Sequence, residues 1–344
     1  MADREFIQEP GPMHGSSDVD EVAGVSGVSE LDVLEERAAQ MAEQGAGGAK
    51  PLGLWADTWR RLRRNKLALV GLGIIIVFMV IGLVQVIAYP LTDGRGVTPY
   101  PPNQQNYDLS PEGRGSPPSA SHPMGTDYMG RDILSRVLVA TRISLLVGVI
   151  AVAIALTIGL VLGPVSGYYG GAVDSVIMRL ADIFFAFPYI LFVLLIMTVL
   201  GPGFVNVFLA IGILSWASFA RLVRGQVLSV KAMEYVEAAR AQGAADLRII
   251  FRHVLPNSMA PVYVAIAMAV GGAIVTEAAL SFLGIGIQAP NASWGKMIAD
   301  TLTYLWAGSW WMVVFPSIAL TLTVFGFISF GNGLRDATDP KLKE

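Results

Sequence analysis

Cysteine is absent from the 344 residues, which excludes disulfides and thiolate metal sites. Histidine occurs three times, at His14, His122 and His253, too far apart in sequence to suggest a local metal site, so no resident metal is expected. Charge is scarce: Asp, Glu, Lys and Arg make up 15%, well below ordinary globular usage. A phosphate loop of the GxxxxGK[ST] kind is missing, because Gly295 and Lys296 are followed by Met297 and lack the upstream glycine. ATP hydrolysis is therefore not expected of this chain, and no pairing of nucleophile and base recommends an enzyme. The opening MADREFIQEP lacks the basic segment and short apolar core of a secretory signal. The first apolar run begins only after Lys66 and is expected to stay as an uncleaved span.

What the chain has is apolar surface. Hydrophobic residues make up 53%, glycine occurs 37 times and the mean hydropathy is +0.56, a membrane-protein composition. The net charge of -3 hides an asymmetry. Residues 1 to 50 hold 11 of the 27 acidic groups and 3 of the 24 basic ones, so the remainder is net positive, with 21 basic against 16 acidic. Residues 1–50 read as a disordered acidic tail, since they hold too few large apolar side chains to offset ordering entropy, and 51–66 as a basic juxtamembrane segment.

Apolar runs near the length needed to cross about 30 Å of hydrocarbon occur at 67–89, 143–167, 176–200, 203–220, 259–283 and 312–334, which predicts an all-α protein with six spans. Only GPGFVN separates the third from the fourth. Arg60, Arg61, Arg63, Arg64 and Lys66 precede the first span, while Arg335, Lys341 and Lys343 follow the last, so both termini are expected to be cytoplasmic. The loop 221–256, with six basic and three acidic residues, then falls on the same side, as does the tail 335–344. Arg131, Arg136 and Arg142 fit this scheme poorly, and an amphipathic helix at the outer interface, closing an external segment 90–142, is expected to accommodate them. Seven prolines between Leu91 and Asp127 predict an irregular excursion, either a solvated connector or a contact for an external partner. Trp294, Tyr304, Trp306, Trp310 and Trp311 are expected to anchor at the interface.

Several residues within this frame invite a role. Gly159, Gly163 and Gly167 recur every four residues and predict close helix packing. Asp174, Arg179 and Asp182 open the third span, where Arg179 and Asp182 share a helix face and are expected to pair as a structural latch. Pro188 should kink that helix. Glu277 is the ionisable residue of the fifth apolar run; about 27 Å along its helix, it falls near the outer face and is expected either to serve function or to cap the turn at 284–286. Among the apolar runs, Glu234 to Ser258 (EYVEAARAQGAADLRIIFRHVLPNS) is charged. Ser229 offers an N-cap, Gly243 a left-handed stop, and Asp246 a second start. Leu247, Ile250, Phe251 and Val254 then form an apolar stripe that Pro256 ends. The expected product is a helix-turn-helix knob, either packed on the bundle or inserted into another protein.

The same stretch carries a resemblance. Glu237, Ala238, Ala239, Gly243, Leu255 and Pro256 match the EAA signature of ABC-importer permeases, with His253 at the signature's isoleucine position. HPMGTDYMGRDILSRVLVATRISL (His122 to Leu145), TEAALSFLGIGIQAPNASWGKM (Thr276 to Met297) and RDATDP (Arg335 to Pro340) resemble the C-type permease subunit of dipeptide and oligopeptide importers. The likeness covers roughly Arg60 to Lys341. It implies a type I ABC importer permease fold with a five-helix core over 143–334, in a bacterial plasma membrane. It also implies a partner B-type permease, two ATPase subunits that supply ATP and Mg, and an external peptide-binding protein, with no nucleic acid among the partners. Glu234, Tyr235, Glu237, Ala238, Ala239, Arg240, Gly243, Leu255 and Pro256 become the ATPase coupling loop, and Asp174, Arg179, Asp182, Pro188 and Glu277 structural or gating candidates. Nickel or another small solute is an alternative cargo. An ion-gradient transporter would need buried mid-membrane charges and inverted repeats, and neither stands out; a membrane scaffold would not account for the signature.

Overall fold

The computed structural model describes residues 54–110 and 113–338. The expectations for residues 1–50, for the start of the basic segment and for the end of the C-terminal tail lie outside the described residues. Five described helices are long and apolar enough to cross a membrane, or six if one sharply bent pair is a single span. A short amphipathic helix, α1 (Leu54–Leu62), leads into the first span, α2 (Lys66–Leu91), whose amino end is capped by Asn65 accepting from the Ala68 N–H at 3.1 Å. Gln85, buried inside α2, donates to Val97 O and accepts from Val97 N, so the chain leaving the helix is tied back to it.

The second span, α3 (Ile133–Tyr169), is unbroken for 37 residues, about 55 Å against the roughly 30 Å of hydrocarbon. This corrects the separate interfacial helix. The segment holding Arg136 and Arg142 is the amino-terminal end of α3 itself, starting at Asp132, whose carboxylate accepts from Ser135 N and pairs with His122 Nδ1 at 2.8 Å. Arg136 is buried, donating to Pro102 O and to Asn103 Oδ1; Asp127 accepts from Arg131 Nε at 2.6 Å; and Arg142 stacks over the Tyr89 ring at 3.6 Å. The segment between α2 and α3 folds back to supply partners for Arg131 and Arg136, while Arg142 leans on the Tyr89 ring of α2 and leaves its Nε without a hydrogen bond; periodicity along one helix does not reveal this.

The third span is a pair, α4 (Gly171–Ala186) and α5 (Tyr189–Leu200), meeting at 90°. Pro188 has no N–H to continue the ladder and holds Phe187 extended at φ -103° and ψ 143°, so the kink expected there is a full break. After GPG the chain enters α6 (Phe204–Val230), then a short loop helix α7 (Glu234–Ala241), α8 (Asp246–Ile249), a π turn over Ile250–Val254, and α9 (Leu255–Asn257). The remaining elements are α10 (Ala260–Phe282), α11 (Trp294–Leu305) and α12 (Trp311–Thr338).

Helices α3 and α6 form the closest pairing, and the glycine spacing explains it. A Cβ at Gly159 would lie 2.5 Å from Phe219 Cβ, one at Gly163 2.8 Å from Val223 Cβ, and one at Gly167 2.9 Å from Val227 Cγ1. Each glycine therefore lies in direct contact with α6. We expect Gly163→Leu to cost about 1–3 kcal/mol through overpacking, whereas Gly272→Leu, with nothing within 4 Å of its Cβ, should change little. The midpoints of thermal unfolding of the two purified variants check this; equal midpoints would refute the packing role.

The segment between α2 and α3, though exposed along much of its length, is anchored at several points. Tyr100 N donates to Ser135 Oγ, Ser309 Oγ donates to Arg114 O at 2.7 Å and Trp311 Nε1 donates to Thr126 O at 3.0 Å, which pins it to α3 and to the start of α12. The aromatic expectation divides accordingly. Trp294 is fully buried, donating Nε1 to Val137 O and meeting Phe78 edge-on at 5.6 Å; Trp311 is buried, and Tyr304 stacks on Tyr128. Trp306 and Trp310 stay exposed.

Candidate functional site

The charged stretch folds into a knob with a buried base and a bare outer face. Val236 on α7, Ile249 on α8, and Ile250 and Val254 in the π turn are buried against Tyr168, Val223, Val227 and Val262, where α3, α6 and α10 end. Polar ties fix the same base. Lys231 Nζ donates to Gly167 O at 2.6 Å, Tyr168 Oη donates to Asp246 Oδ1 at 2.8 Å, and Arg240 Nη2 donates to Tyr168 Oη at 3.3 Å. The Arg240 guanidinium is held above its ordinary pKa, chiefly by that hydrogen bond. Tyr168 and Lys231 were not singled out from sequence, and Asp246 only as a helix start; the signal available was that Tyr168 directly follows the glycine stripe.

Two local expectations need correction. Ser229 does not cap the knob helix: it sits in the last turn of α6, and α7 starts after Met233, whose backbone is extended. The apolar stripe of the second helix divides, with Ile250 and Val254 buried but Leu247 63% and Phe251 59% exposed, while Ile249 takes the inner place. The π turn explains the shift, since Pro256 cannot donate to Arg252 O and its ring would crowd that carbonyl, so the ladder widens before it. Gly243 follows α7 at φ +77°, a left-handed turn that directs the chain into α8. Glu234, Tyr235, Glu237, Ala238, Arg240, Gly243 and Pro256 are exposed, Ala239 and Leu255 half-buried. Together with Leu247 and Phe251 they make one outward surface of small, charged and apolar side chains.

The group at the start of the third span is rearranged relative to expectation. Asp182 pairs with Arg221 of α6 at 2.7 Å rather than with Arg179, and Arg221 also stacks on Phe185. An Arg placed three residues before an Asp is the weaker order on a helix, and the neighbouring helix supplies a better-placed cation. Asp174 receives Arg224 through two parallel bonds, Nε to Oδ1 at 2.5 Å and Nη2 to Oδ2 at 2.6 Å, with Ser166 Oγ donating to the same carboxylate. This fork joins α3, α4 and α6. Arg179 is exposed, and Pro188 lies apart at the break.

Glu277 is fully buried near the far end of α10. Its Oε1 accepts from Ser281 Oγ at 2.7 Å and its Oε2 from Ser144 Oγ at 3.4 Å, while Ser281 Oγ accepts from Ile287 N and Ser144 Oγ from Trp294 N. One carboxylate thus joins α3, α10, the turn after it and the start of α11. The knob, the fork and this node lie on different parts of the bundle.

Comparison with known proteins places the chain. Residues 155–344 match the family described as binding-protein-dependent transport system inner membrane component, and residues 53–118 match the N-terminal TM domain of oligopeptide transport permease C. The dipeptide transport system permease protein DppC of Bacillus subtilis (strain 168) is 42% identical over 83% of this chain and 86% of its own length. The oligopeptide transport system permease protein OppC of the same organism is 40% identical over 91% and 98%. The glutathione transport system permease protein GsiD of Pectobacterium atrosepticum is 41% identical over 84% and 92%. A chain of the inward-facing MetNI methionine ABC transporter superimposes with a TM-score of 0.48 at 16% identity, over 59% of this chain and 97% of that one. The chain is a multi-pass membrane protein and belongs to the binding-protein-dependent transport system inner membrane component family.

Proposed function

We propose that the chain forms half of the translocation path of an ATP-driven importer for dipeptides or oligopeptides, and that the outward face of the knob receives the motion of an ATPase subunit. The observation that carries this is the knob's two-sidedness. Its base is locked onto three spanning helices through Val236, Ile249, Val254, Lys231 and Tyr168, whereas Glu237, Ala238, Leu247 and Phe251 face outward. A push on that face passes into α3, α6 and α10 without a flexible joint. The partners in this reading are a B-type permease completing the path, two ATPase subunits that bind ATP and Mg, and an external binding protein that delivers peptide. The chain itself contributes no hydrolysis. The peptide cargo rests on the names of the relatives.

The test is uptake into vesicles holding the assembled importer. Uptake of labelled dipeptide should stop on ATP depletion and survive collapse of the proton gradient; the reverse would establish an ion-gradient transporter. Orientation has its own check, convenient in a chain without cysteine. Gln242→Cys, at an exposed position of the knob, should resist membrane-impermeant thiol reagent in intact cells and react in inverted vesicles. Labelling in intact cells would overturn the cytoplasmic placement of the loop and of both termini.

A further inference from the structure

Three consecutive residues at the carboxyl end of α3 are each held by a different part of the chain. Ser166 Oγ donates to Asp174 Oδ1 of α4 at 2.5 Å, Lys231 Nζ, just beyond α6, donates to Gly167 O at 2.6 Å, and Tyr168 Oη meets both helices of the knob. That hydroxyl donates to Asp246 Oδ1 on α8 at 2.8 Å and accepts from Arg240 Nη2 on α7 at 3.3 Å, so one oxygen ties residues on either side of the Gly243 turn to α3. The turn cannot hold that geometry by itself. Nothing lies within 4 Å of a Cβ placed on Gly243, and α7 and α8, eight and four residues long, are too short to be stable alone. Their angle to the bundle is set by what grips them: Val236 and Ile249, whose burial is non-directional, and the Tyr168 hydroxyl, whose bonds are directional. The same turn of α3 also reaches α4. The covalent link there is Gly170 and Gly171, both at positive φ and permissive, so α4 takes its orientation from Asp174, which accepts from Ser166 and from Arg224.

We infer that Tyr168 is the positioning residue of the knob: its hydroxyl fixes α7 and α8 against the end of α3, and a displacement of the knob reaches α4, the first half of the bent third span, through Tyr168, Ser166 and Asp174. The inference rests on the reading of the knob as the face an ATPase moves, and adds to it the atom that stiffens the joint and the span that receives the motion. Hydroxyl and ring are separable. The ring is buried in one cluster with Val227 and Val236, whereas Arg240 and Asp246 are exposed, so in Tyr168→Phe water satisfies both charges and the packing stays. Without the hydroxyl the two charges can pair across the turn, but they no longer tie it to α3.

Two readouts on the assembled importer test this. In the first, spin labels on Gln242→Cys of the knob and Val176→Cys of α4, both exposed positions in a chain without cysteine of its own, report the distance between knob and span. The distribution should be narrow with Tyr168 and markedly broader in Tyr168→Phe, with the thermal unfolding midpoint close to wild type. In the second, uptake of labelled dipeptide and phosphate release are measured in the same vesicles. Uptake per ATP hydrolysed should fall several-fold in Tyr168→Phe and in Asp246→Ala, and stay near wild type in Asp246→Asn, whose amide oxygen still accepts from the tyrosine. It should fall no further in the double variant Tyr168→Phe/Asp246→Ala, because both changes remove one contact. An unchanged distance distribution in Tyr168→Phe, an unchanged uptake per ATP, or losses that add in the double variant would each overturn the inference. So would a lowered unfolding midpoint with uptake per ATP intact, the mark of a packing role alone. Failure of the knob reading is distinct: it shows as wild-type uptake in Gly243→Val and Glu237→Lys, and takes this inference with it.

Discussion

Gly243→Val is expected to abolish most ATP-driven uptake while leaving the protein inserted and still able to receive substrate from its binding protein. A side chain at Gly243 meets nothing within 4 Å, so the effect is not steric crowding by neighbours. It comes from the backbone: at φ +77° a β-branched residue costs on the order of 1–3 kcal/mol, and the turn escapes that cost by moving. Any such movement redirects α7 against α8 and takes Glu237 and Phe251 out of register with whatever docks on them. Gly243→Asn, which tolerates the left-handed region, should retain most of the activity. Glu237→Lys addresses the same surface differently, reversing an exposed charge with the turn intact, and should reduce ATPase co-purification more than it alters the fold. Wild-type uptake and wild-type ATPase retention in both Gly243→Val and Glu237→Lys would show that this knob is not the coupling element.

The second large effect is expected at Glu277. Truncation to alanine removes the acceptor of the Ser281 and Ser144 hydroxyls, which are themselves fully buried, and leaves a void at the meeting of α3, α10 and α11. A buried unsatisfied group costs about 1–3 kcal/mol and a large-to-small cavity a further 2 or more. The variant should therefore unfold at a clearly lower temperature and assemble poorly. Glu277→Gln keeps the volume and an acceptor oxygen and should fall between. The comparison separates a structural node from a transport residue: if both variants assemble and melt like wild type but only uptake is lost, Glu277 acts on the substrate; if nothing changes in any measurement, it is a bystander.

Legibility differed with the range of the interaction. The spans, the break at Pro188, the glycine stripe of α3 and the left-handed stop at Gly243 all depend on residues within a few positions of one another. The pairing of Arg179 with Asp182 was the natural reading along one helix, yet Arg221, 39 residues away, takes the aspartate. Trp294 and Trp311 looked like interface anchors because local composition resembles a belt, and they became core because residues more than 150 positions earlier supply acceptors for their ring N–H groups.

By itself, then, the sequence determined the solvent of this protein, the positions of its apolar spans, the two places where backbone chemistry forbids a helix to continue straight, and the signature that marks its knob. Those follow from hydropathy and from the φ preferences of proline and glycine, which act locally whatever the rest of the chain does. Only the tertiary structure decided where Arg131, Arg136 and Arg142 find their neighbours, that Asp174 forks with Arg224, that Glu277 joins three helices, and which half of the knob is exposed. Each of these is a polar group taken out of water, and its partner is set by which distant segment packs against it rather than by its neighbours in sequence.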